Sequence, residues 1–122
     1  MAGDVKKNMQ SWFEREFALE GVLAAGGGVS ATSVFAAFAA GEFVLASNDE
    51  VWRSIGETIQ NVSTHGAPTG EMLWGFERAV LCTIQRPDGA WLGVITEADL
   101  RDDSALALRA KLDAFKQQDF GA

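Results

Sequence analysis

The residues with the clearest chemical spacing are Gly26-Gly27-Gly28-Val29-Ser30-Ala31. They satisfy the pattern G-x-G-x-x-G/A, and an acid, Asp49, follows about 20 positions later. In a dinucleotide-binding turn such glycines let the backbone approach a pyrophosphate, while the acid holds a ribose hydroxyl. That chemistry also needs a strand, the turn, a helix and further parallel strands joined by helices. Here the later strands read as a tight hairpin, and an amphipathic helix precedes the first strand. The expected reading is therefore a structural bend with close backbone packing, and no bound cofactor. The G-K-[ST] ending of a phosphate loop is missing as well.

The remaining chemical residues are sparse. His65 is the single histidine and lies between Thr64 and Gly66. A general base needs a nucleophile and an orienting partner, and sequence neighbours such as Ser63 and Thr64 supply neither by adjacency. It reads as an exposed loop histidine. Cys82, the single cysteine, sits among apolar neighbours in a strand pattern and reads as a buried, inert thiol. One histidine and one cysteine cannot complete a zinc site without several carboxylates. Glu97, Asp99, Asp102 and Asp103 form an acidic cluster that lacks the calcium-loop spacing, so they read as the solvated start of a helix. No catalytic, cofactor-binding or metal-binding residue is expected, and the chain is not expected to be an enzyme.

Composition narrows the class further. The chain has 122 residues, and residues 1–122 read as a single domain, 48% hydrophobic and able to build a core. The least charged stretch, Val22 to Ala40, is rich in Gly, Ala and Ser and too weakly apolar to prefer lipid, so no membrane span is expected. The first residues are charged and lack an apolar signal core. With one cysteine there is no internal disulfide, and a cytoplasmic location is the expectation. The net charge of −7 argues against nucleic acid, which needs a basic face, and suits a basic partner.

The elements that would position these residues follow from periodicity. Residues 4 to about 20 read as a helix, with Val5, Met9, Trp12, Phe13 and Phe17 in one apolar stripe. Such an aromatic stripe must be covered, by its own sheet or by a second subunit. Gly21 to Ala46 reads as two antiparallel strands. One register pairs about 21–29 with 32–39, the other about 33–39 with 42–47; the first fits slightly better. Ser47-Asn48-Asp49-Glu50 has the form of a capping box, and Val51, Trp52, Ile55, Ile59 and Val62 then follow helical spacing. Met72 to Phe76 reads as a short strand. Alternation from Phe76 to Gln85, the turn Arg86-Pro87-Asp88-Gly89 and the run Ala90 to Thr96 read as a hairpin. A last helix spans about Ser104 to Gln117, with Leu108, Leu112 and Phe115 on one face and Asp102, Asp103 and Ser104 capping its start. The order α-β-β-α-β-β-β-α makes an α+β fold, a five-stranded antiparallel sheet with helices packed on it.

Two phrases carry a resemblance. "FALEGVLAAGGG" (Phe17 to Gly28) and "FERAVLCTIQRPDGAWLGVITEADL" (Phe76 to Leu100) resemble the roadblock/dynein-light-chain family, nearest to small bacterial roadblock-like proteins. Ala31 to Glu42 departs from the family's polar D-G turn. The resemblance implies a roadblock/profilin-like fold and a non-catalytic, dimeric regulatory scaffold acting with a small GTPase or a multiprotein complex. It carries no catalytic motif onto this chain. The residues expected at a homodimer interface are Met9, Trp12, Phe13, Phe17 and Trp52. The alternative is a small-ligand sensor that binds a metabolite in an apolar pocket.

Overall fold

A computed structural model describes residues 2–30, 33–39, 49–64, 71–75 and 79–120 of the chain. The elements are α1 (Ala2–Glu16), β1 (Val22–Gly28), β2 (Val34–Ala39), α2 (Asp49–Thr64), β3 (Glu71–Gly75), β4 (Ala79–Gln85), β5 (Trp91–Glu97) and α3 (Asp102–Gln117). The five strands form one antiparallel sheet in the order β2-β1-β5-β4-β3. The α+β class and the element order are those expected from periodicity.

Strand alternation divides the sheet's side chains between two cores. Ala25, Phe35, Leu92 and Val94 face one side, where they join Met9, Phe13 and Phe17 of α1 and Leu108, Leu112 and Phe115 of α3. Ala24, Val34 and Trp91 face the other, with Trp52 and Ile59 of α2. Two helices thus cover one face and a single helix covers the other.

The first hairpin takes the register that pairs Gly28 with Val34 and Gly27 with Phe35, with a shift between Ala25 and Gly26. The glycine run is therefore strand rather than a bend. The close backbone packing expected of it is present. Left-handed backbone occurs elsewhere among the described residues, at Gly21 (φ 86°) and at Gly89 (φ 93°). Gly89 closes the β4–β5 turn, where its N–H donates to the Arg86 carbonyl at 3.0 Å.

Some boundaries differ from the sequence reading. Helix α1 stops at Glu16 rather than near residue 20. Helix α3 begins at Asp102, and its N-cap is Arg101, which makes no side-chain capping bond. Ser47, Asn48 and His65 lie outside the described residues. Val51, assigned to the apolar stripe of α2, is exposed.

Candidate functional site

The glycine motif is filled by the chain itself. A side chain at Gly26 would run into the indole of Trp52 and the Phe35 carbonyl, and one at Gly27 would meet Phe13 and the Trp91 carbonyl. All three glycines are buried within β1. Asp49, which a cofactor would need at a ribose, instead accepts a bond from the Ala36 N–H at 3.2 Å. Asp49 thus caps a strand.

The residues expected at a dimer interface are core residues. Met9, Phe13, Phe17 and Trp52 are fully buried by their own chain, and Trp12 is 8% exposed. Phe13 packs 5.2 Å from Phe35 and 5.5 Å from Phe115, centroid to centroid, and Trp12 packs 5.5 Å from Phe120. Of the two covers open to the stripe, its own sheet or a second subunit, the chain supplies the first, from β2, α3 and the segment after α3. This corrects the premise on which those five residues were assigned.

Exposed apolar surface lies at the other end of the sheet. β3 is an edge strand. Leu73, in its middle, is 69% exposed, and Leu106 of α3 is 73% exposed. Glu71, which shares its side of β3 with Leu73, reaches α3: its carboxylate accepts two bonds from Arg109, at 2.6 and 3.0 Å. Leu106 lies one helical turn before Arg109, so both leucines belong to this side of the edge. On the opposite face, Met72 and Trp74 point toward α2. There an apolar groove of about 210 Å³ runs between α2 and the strands, lined by Ser54, Ile55, Thr58, Ile59, Trp74 and Leu81. The Trp74 indole N–H, at the groove, is buried and has no acceptor among the described residues. A buried donor without a partner costs about 1–3 kcal/mol, so its presence calls for an occupant or a reason.

The electrostatics of this end are set by Glu71. Its bonds from Arg109 hold its carboxyl below the usual range against a smaller opposing effect of burial, and Lys116 adds attraction. Arg109 is held more firmly protonated in turn, chiefly by Glu71 and also by Asp113. Cys82, opposite Leu73 in the β3–β4 pairing, is pushed up to about 11 by burial first and by the Glu71 charge second.

A second cavity, of about 430 Å³, lies between α1, the β4–β5 turn and residues 117–120, and includes Met9, Arg86, Asp88 and Phe120 in its lining. Arg86 is already engaged there. It donates to the Phe115 and Gln118 carbonyls at 3.0 and 2.7 Å and to Asp88 at 2.7 Å. Its guanidinium also sits over the Phe115 and Phe120 rings. These bonds tie the end of α3 to the turn.

Among the described residues, no group of three or more His, Cys, Asp or Glu side chains is placed to hold a metal ion. No helix of the described residues is long and apolar enough to cross a membrane. The surface at β3, Leu73, Trp74 and Leu81 was missed by sequence reasoning. Trp74 was visible in a short strand, but its edge position depends on a strand order that no local pattern encodes. No protein-family model matches the chain, and no curated protein matches it either.

Proposed function

We propose that this chain is a non-catalytic protein-interaction module that assembles as a homodimer through β3 and the adjoining groove of α2. The observation that carries the reading is an edge strand with exposed Leu73 on one face and, on the other, half-buried Trp74 lining an apolar groove. An antiparallel pairing of β3 with its own copy across a two-fold axis is self-complementary and closes the assembly at two. It would cover Leu73 and the groove together. Small Ser54 and Thr58 at the groove rim leave room for close approach of a second α2.

The resemblance to roadblock-type chains supports the same reading and makes a small GTPase the client to test. The groove, at about 210 Å³, is smaller than the ~300 Å³ at which small-molecule sites usually begin, which favours a protein side chain as its occupant. The metabolite-sensor reading draws instead on the cavity of about 430 Å³ beside Arg86, which a thermal-shift screen of metabolites would test.

The deciding measurement is molar mass by light scattering. The wild-type chain is expected as a dimer, and Leu73→Asp as a folded monomer. A strictly monomeric wild type at high concentration, or a Leu73→Asp variant that stays dimeric, overturns the reading.

A further inference from the structure

The two edges of the sheet are treated differently. On β2, the edge strand at the other end of the described sheet, Ala36 sits mid-strand. Its N–H donates to Asp49 Oδ1 at 3.2 Å, and its carbonyl accepts from Gln10 Nε2 at 3.1 Å. In an antiparallel strand the N–H and C=O of one residue project to the same side. Both groups of Ala36 go to side chains, so both project away from β1. They are the pair that an incoming antiparallel strand would use for its closest two bonds. The caps come from opposite faces of the sheet, Gln10 from α1 and Asp49 from the first turn of α2. The β3 backbone has no corresponding side-chain cap among the described residues.

We infer that Gln10 and Asp49 close the β2 edge to strand addition and so direct a second copy of this chain to β3. Exposed edges are templates for unwanted pairing, and charged or polar side chains that occupy them are a general defence. With both edges open, each molecule could accept two neighbours, and the sheet would extend without limit. With one edge closed, assembly stops at two. This inference rests on the reading of β3 as the pairing edge.

The test is the full-length double variant Gln10→Ala/Asp49→Ala, followed by sedimentation velocity and light scattering across a concentration series. Circular dichroism checks that it keeps its fold. The wild type should stop at a dimer. The double variant should pass beyond it, with a mass that keeps rising with concentration. Adding Ala36→Pro, which leaves no N–H to donate, should return the double variant to a dimer. A folded double variant with the wild-type mass at every concentration overturns the inference. If the double variant unfolds, Gln10→Ala alone carries the test, and its mass must exceed the wild type's at high concentration or the inference fails. The two readings separate in a Leu73→Asp background. There the double variant should pair through β2 alone and stop at two, so persistent monomers in that background would sink the cap proposal and leave the β3 reading standing.

Discussion

The indole of Trp52 occupies the space that a side chain at Gly26 would need, and it also presses on Gly93 of the neighbouring strand, where an added Cβ would lie 2.8 Å from its ring. The glycine run is thus a floor for a tryptophan. Gly26→Ala should cost about 1–3 kcal/mol, the usual penalty for overfilling a packed core. Urea denaturation would show it as a lowered midpoint with an unchanged slope. Addition of a dinucleotide should leave the wild-type melting temperature where it was.

Trp12→Ala should act on the fold and not on assembly. The ring contacts Phe13, Phe17, Phe115 and Phe120, and its loss leaves a cavity among them. Truncations of this size cost about 3–5 kcal/mol. Chemical denaturation should register that loss. Dissociation of a fully folded Trp12→Ala chain into monomers would contradict the placement of α1 in the core.

The Glu71–Arg109 pair gives stability a dependence on acid. Bonds from Arg109 lower the native carboxyl below its ordinary value of 4.5. A carboxyl lowered in the folded state contributes stability that is fully present above its unfolded value. That contribution fades as pH falls through the lower native value. Glu16, lowered by Lys111 first and Arg15 second, acts in the same direction. Both pairs are partly open to solvent, so each should contribute about 0.2–1 kcal/mol. A double-mutant cycle of Glu71→Gln and Arg109→Met at neutral pH should return a coupling in that range, and the coupling should fade as pH falls through the lowered carboxyl value and shrink in high salt.

Cys82 should resist thiol reagents in the native protein. The thiolate is the reactive form, and burial keeps it scarce by pushing the thiol up to about 11. Labelling at neutral pH should follow unfolding, and rapid labelling of the native chain would place the thiol at the surface.

The element order was legible because each element carries its own local period. Leu108, Leu112 and Phe115 mark one face of α3, and Pro87-Asp88-Gly89 marks the turn between β4 and β5. What covers each face was not legible. The aromatic stripe of α1 is excessive beside its own neighbours in sequence, which is why its own sheet and a second subunit both stood open as its cover. Its cover includes Phe115 and Phe120, about a hundred residues away, where no local pattern points back to Trp12. The same limit hid the candidate surface. β5 returns to pair with β1, and this insertion pushes β3 to the rim, where Leu73 becomes exposed. The role of Asp49 was hidden similarly, because an acid at the start of a helix reads the same whether it faces a ligand or a strand.

The bond from Asn8 to the Phe120 carbonyl spans 112 positions, and Trp12 and Phe13 pack on the same phenylalanine. During synthesis the first helix therefore emerges long before its cover exists. Its aromatic side chains must wait, wet or chaperoned, until Phe120 has also left the ribosome, so the first helix made is among the last to be covered.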